Sequence, residues 1–174
     1  MNRNIYCSVH ILHNCLCTVK VSIILSRMNK TKAKQIAQDI INTNIYLTLG
    51  TTDGKKSWVA PLFYCKDKKN RFYVISQPHS KHIKNIASKA HVSFAIFDSH
   101  AIEGKGNGVQ GDGVMQECTG RKLTMALKYY HTDFIPCTKE AFTHGAYKLY
   151  RITPKHTYIL DPEAKVDKRI HVEI

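Results

Sequence analysis

Between residues 29 and 43, apolar side chains fall at Ala33, Ile36, Ala37, Ile40 and Ile41, three and four apart. That spacing places them on one face of an amphipathic helix. The period then changes to two. Ile45, Leu47 and Leu49 alternate with Tyr46 and Thr48, the pattern of a strand with one buried face. Asp53-Gly54 predicts a turn, and SWVAPLFYC, apolar on both faces, predicts a second strand. Pro61 within it has no N–H for a ladder, so an edge, a bulge or an interruption is expected there. The polar KDKKN turn separates this strand from a third, RFYVIS. Two successive hairpins point to an antiparallel meander rather than to βαβ units.

Farther on, Ile83, Ile86, Ala87 and Ala90 return to helical spacing, and HVSFAIFD alternates with Val92, Phe94 and Ile96 on one face. The Gly-rich loop SHAIEGKGNG leads into VQGDGVMQE, a strand in which Gly111 and Gly113 predict a bulge or a close backbone approach. Residues 120–144 read as helical, with a break near Pro136. AYKLYRIT and HTYILD read as two closing strands joined at Pro154, and RIHVEI as a last strand. The expected fold is mainly β (α+β). About seven short, mostly sequential antiparallel strands carry a few flanking helices, and closure into a barrel would remove exposed edges.

Composition narrows the class without naming a function. At 174 residues, 43% hydrophobic and 22% charged, the chain is large enough for one domain with a real core and ordinary for a soluble protein. A net charge of +13 favours anionic partners. That charge is spread thinly, and the densest patch, Lys66 to Arg71, is broken by Asp67 and Asn70. A diffuse field argues against nucleic acid, which calls for a basic stripe. No apolar run nears the roughly 20 residues that span a bilayer, so no membrane role is expected. Residues 1–27 contain no acidic residue, Gly or Pro and three of the six cysteines. They read as an extension outside the domain, and Met28 opens a segment like an ordinary start, so the domain is expected over 28–174. His13, Cys15 and Cys17 lack the second ligand pair that a zinc site needs, so no metal is expected. Reduced thiols and a cytoplasmic location are the default.

Candidate chemistry concentrates in SQPHSKHIKNI, residues 76–86. Pro78 stays outside the helix and Ser80 is a good N-cap, so the helix should begin there. Its first turn then carries Lys81, His82 and Lys84, the wrong charge for the positive end of a helix dipole. Free amides, a hydroxyl and cations together suit a phosphate group. Other signatures fall short. The GxGxG in EGKGNGVQGDG precedes a strand instead of a helix, which refuses a dinucleotide fold. The chain has no GxSxG, HExxH or paired-carboxylate pattern.

The order of these features is more specific than any one of them. A strand pair, then YVISQPHSKHIKNI, then ASKAHVSFAIFD, a loop and GVQGDG resembles the pyridoxamine 5′-phosphate oxidase-like family of FMN-binding split β-barrels. The likeness runs from about Ile45 to Val172. By that resemblance Ser80, Lys81 and His82 lie where the family binds the FMN 5′-phosphate, with Ser76 nearby. Trp58, Val59, Ala60 and Pro61 correspond to the strand whose backbone runs along the flavin ring. Gln110 corresponds to a glutamine that approaches the flavin from a partner subunit. The resemblance implies a homodimer, FMN as cofactor, and an oxidoreductase acting on a small-molecule substrate or electron donor. The alternative is a non-catalytic flavin- or heme-binding protein of the same fold. The chain departs from the family in three places. SWVAPLFYC holds no Arg, Lys81-His82 stands where members carry Arg-Lys, and the C-terminal pattern with tryptophan, histidine and arginine is missing. Trp58 is the only tryptophan. These departures argue against vitamin B6 oxidase activity and leave the catalytic residues and substrate unnamed.

Overall fold

The computed structural model describes residues 29–104, 106–161, 163–164 and 166–174. Segment 1–27, with His13, Cys15 and Cys17, lies outside them. The chain forms α1 (Lys30–Thr43), β1 (Tyr46–Thr52), β2 (Ser57–Phe63), β3 (Cys65–Lys66), β4 (Phe72–Ser76), α2 (Lys81–Ser88), β5 (His91–Phe97) and β6 (Gly108–Glu117). Then follow α3 (Gly120–Ala126), α4 (Lys139–His144), β7 (Lys148–Leu160) and β8 (Arg169–His171). The strands make one antiparallel sheet in the order β2-β1-β5-β6-β7-β4-β3, with β8 added against β7. The sheet curls into a half-barrel, the expected mainly β split barrel. Among the described residues no helix is long and apolar enough to cross a membrane.

The period-two rows became the main core. Leu47 and Leu49 of β1, Val92, Phe94 and Ile96 of β5, and Val109 and Met115 of β6 all point inward, beneath Ala33, Ala37 and Ile41 of α1. Gly111 stands opposite Phe94 on this face. A Cβ at Gly111 would meet His156 O at 2.5 Å and Phe94 Cζ at 2.6 Å. The glycine is therefore what lets the Phe94 ring lie across β6, the close approach that the sequence suggests. A second core lies on the other face of β4 and β7, where Tyr73 and Leu149 pack against Leu123, Ala126, Tyr130 and Phe142.

Four expectations need correction. The sheet is not a sequential meander: β1 pairs with β5 and β4 with β7, contacts between strands far apart in the chain. Among the described residues there are eight strands, because Cys65–Lys66 forms a short one against Tyr73 and Phe72. The two closing strands are one, since β7 runs unbroken through Pro154. The register slips between Asp112 and Gly113, which face His156 and Pro154, and Lys155 is left as the extra residue. That bulge accommodates the missing proline N–H. Finally, residues 120–144 form two short helices. The amide of His131 turns to Cys65 Sγ (3.4 Å) instead of a helical carbonyl, residue 135 precedes a proline, and Thr138 caps a new helix by accepting from the Ala141 amide. Pro61 does lie on an edge strand, β2, as its chemistry requires.

Candidate functional site

β4 ends at Ser76, and the chain turns through Pro78 with Ser80 N–H donating to Gln77 O (3.1 Å). Ser80 occupies the cap position in an extended conformation, φ −62° and ψ 150°, yet its side chain makes no bond to the helix. Its hydroxyl instead lies 3.0 Å from Ser76 Oγ and 3.2 Å from His82 Nε2. His82 Nε2 is also 2.7 Å from Ser76 Oγ. The three side chains form a closed polar triangle at the helix start, and among the described residues no side chain caps the first-turn amides. Ile83 and Ile86 hold α2 on the core. Asn85, 1% exposed, ties it to β1 by donating from Nδ2 to Thr51 Oγ1 (3.1 Å). Asn85 Oδ1 is buried without a partner, an acceptor that a donor from outside the chain would satisfy.

The electrostatics differ from the sequence expectation. Burial lowers the His82 pKa below its ordinary value, so at neutral pH the imidazole is uncharged. Lys81 carries the charge of the site, and its ammonium lies 2.7 Å from Asp53 Oδ2 on the β1–β2 turn. The hydrogen bond from Lys81 and the amides of Lys56 and Lys55 hold the Asp53 carboxyl well below the usual carboxylate range. The cation-rich helix start therefore has an acidic neighbour after all, 28 residues upstream. Nothing in the sequence links Asp53 to Lys81. Their meeting depends on the β1–β2 hairpin folding back over α2.

Trp58, Val59, Ala60 and Pro61 lie along the edge strand β2, but on two faces. Trp58 and Ala60 stand opposite Thr51 and Leu49, on the side of α2, while Val59 stands opposite Gly50 on the outer face. Trp58 is 47% exposed and Val59 61%, an apolar margin beside the hydroxyl cluster. Gln110 is not with them. It sits on β6, separated from β2 by β1 and β5, and its Oε1 accepts from Arg169 Nε at 2.9 Å. Gln110 and Arg169 line a depression of about 260 Å³ with Phe97, Asn107 and Leu160.

A phosphate monoester fits the donors at α2: the Ser80 hydroxyl, uncapped amides and one ammonium. Hydrolytic chemistry fits less well. Ser76 and His82 are at nucleophile–base distance, but Ser76 is buried and among the described residues no carboxylate orients the imidazole. On the outer face Asp112, which had no partner in the sequence, lies 3.0 Å from His156 Nδ1. Among the described residues no group of three or more His, Cys, Asp or Glu is placed to hold a metal.

The sequence matches no protein-family model and no curated protein. Its fold is shared with solved structures. A heme-binding protein from Mycobacterium smegmatis is similar with a TM-score of 0.61 at 15% identity, over 77% of this chain and 55% of its own. A nimC/nimA family protein from Clostridium acetobutylicum is similar with a TM-score of 0.56 at 13% identity, over 83% of this chain and 94% of its own. A FAD-binding protein from Mesorhizobium loti gives 0.56 at 19% identity, over 72% of this chain and 91% of its own. The chain thus spans little more than half the length of the first and nearly all of the other two. At these identities the likeness shows architecture alone: the chain shares the split-barrel fold of these structures.

Proposed function

We propose that this chain is an FMN-binding oxidoreductase that works as a homodimer. The observation that carries the reading is the Ser76–Ser80–His82 triangle at the uncapped start of α2, beside Lys81. Ser80 gives up a cap worth about 1 kcal/mol, and the amides it leaves are the ones a phosphate would take. Fold neighbours described as FAD-binding and heme-binding support a flavin or a heme in such a barrel, and the donor set here favours a phosphate-bearing flavin. When bound, the flavin supplies hydride or single-electron chemistry at its ring. The chain's own part is to bind and orient. Ser80 donates its hydroxyl hydrogen, buried Ser76 holds that hydroxyl in place, Lys81 offers charge, and Trp58 and Ala60 line the β2 margin. Neutral His82 fixes both serine hydroxyls and adds no charge.

A second copy is the partner we expect. Tyr46, Val59 and Phe97 are 57%, 61% and 51% exposed, and the strand register puts all three on the outer face of the sheet. An apolar face of that kind marks an interface. A second copy would also bring another Gln110 to the flavin.

Fluorescence titration tests this reading. FMN quenches on binding, with riboflavin weaker by about tenfold or more, since charge-assisted hydrogen bonds to the phosphate are lost. Equal affinity for the two would remove the α2 phosphate site. A Soret band and no flavin affinity would favour the heme alternative. A monomeric mass for protein that still binds FMN would remove Gln110 from the site.

A further inference from the structure

The Lys81–Asp53 pair raises a difficulty for a phosphate at α2. Lys81 is the only charged group among the cluster side chains, because His82 is neutral, and its ammonium already faces a carboxylate at 2.7 Å. Asp53 is not a loosely placed partner. Its Oδ1 accepts from the amides of Lys55 and Lys56, each at 2.8 Å, so the turn itself fixes the carboxylate. The next turn residue, Gly54, has a positive φ of 91° and lies against the end of Lys89. The hairpin tip is thus tied to α2 through Lys81, with the end of Lys89 beside it.

We infer that Asp53 is a specificity-determining residue of the α2 site, making phosphate binding an exchange of one anion for another at Lys81. This rests on the reading of the site as the flavin phosphate cradle. A phosphate dianion arriving at the triangle must take Lys81 from Asp53 or share it with a carboxylate across a few ångströms. Either outcome weakens binding of the charged ligand and leaves a phosphate-free one untouched. Asp53 therefore narrows the preference for FMN over riboflavin and keeps the bound phosphate exchangeable. Asp53 stays anionic at any working pH, so acidification does not release Lys81. Salt weakens the pair, because both side chains are partly exposed, 41% and 34%.

The test is Asp53→Asn, which keeps an oxygen for the Lys55 and Lys56 amides and removes only the charge. FMN and riboflavin are the probes, followed by fluorescence quenching. The expected result is FMN affinity about two- to fivefold tighter, the scale of an exposed ion pair, with riboflavin unchanged. The gain disappears when Asp53→Asn is compared in a Lys81→Met background, since the coupling runs through that ammonium. Unchanged or weaker FMN binding in Asp53→Asn, or an equal gain for riboflavin, overturns the inference while wild-type FMN binding stands. No flavin binding by either protein overturns the inference and the flavin reading together.

Discussion

Helices α1 and α2 begin in opposite ways. At α1, Asn29 caps the helix with its own side chain, accepting from the Lys32 amide at 2.8 Å. At α4, Thr138 does the same and Glu140 follows in the first turn. At α2 the cap residue has the right backbone and the right hydroxyl, but the hydroxyl serves Ser76 and His82. α3 also lacks a side-chain cap, without any cluster around it. The contrast separates two uses of one structural device. α1 has its start satisfied internally, as befits an element whose work is to cover the core. α2 leaves its first-turn amides without a side-chain cap, at some loss of local stability, as a binding element does.

The largest expected effect tests the α1 side of that contrast. Ile41 is 1% exposed and packs on the inner face of the sheet. Ile41→Ala should cost about 2–5 kcal/mol of unfolding free energy, read as a lower urea midpoint. FMN affinity of the folded protein should not change. A loss below about 1 kcal/mol would mean the site collapses easily, and α1 would not be the structural cover that the contrast requires.

The cap residues give the next and sharper test. Asn29→Ala should lower stability by about 1 kcal/mol. Ser80→Ala loses no cap bond and leaves Ser76 and His82 bonded to each other, so it should lower stability by less than Asn29→Ala, and should weaken FMN binding by roughly three- to tenfold through the lost hydroxyl. Paired thermal melts and flavin titrations read both. If Ser80→Ala destabilises as much as Asn29→Ala and leaves FMN affinity alone, α2 is an ordinary capped helix.

Much of this was legible in the sequence, for reasons that can be traced. Val92, Phe94 and Ile96 alternate because one face of β5 is buried, and Pro61 marks an edge because it cannot donate. Gly111 foretold a close approach, here that of Phe94. Ser76, Ser80 and His82 come together because only four residues, Gln77 to Ser80, separate β4 from α2. The misses share a different cause. The pairing of β1 with β5 and of β4 with β7 is set by how the sheet curls, which no local pattern records. One strand through Pro154 was hidden because a proline usually ends a strand, and only the opposing register shows the bulge that accommodates it. Asp53 was read as a turn residue, which it is. Its second role at Lys81 needs the tertiary fold, and so does the burial that leaves His82 uncharged.

The smallest effect concerns that uncharged imidazole. Burial keeps the His82 pKa below its ordinary value of 6.5. Between the lowered folded value and 6.5, the unfolded chain holds a proton that the folded chain does not. Stability therefore rises with pH across that window, and is lost as pH falls below 6.5 until the folded value is reached. His82→Gln removes the titration and keeps a polar amide toward the two serines. Urea midpoints at pH 7.5 and 5.5 should converge in His82→Gln relative to wild type. The other nine of the ten histidines are common to both proteins, so the difference between the curves isolates His82. Saturating FMN should shrink the wild-type slope further, because a phosphate beside the imidazole favours its protonated form and offsets the desolvation. A slope that FMN leaves untouched would place the phosphate elsewhere than against His82. A wild-type slope no steeper than that of His82→Gln would mean the imidazole titrates in the folded chain as it does in the unfolded one, and Lys81 would then not stand alone as the cation of the α2 start below pH 6.5.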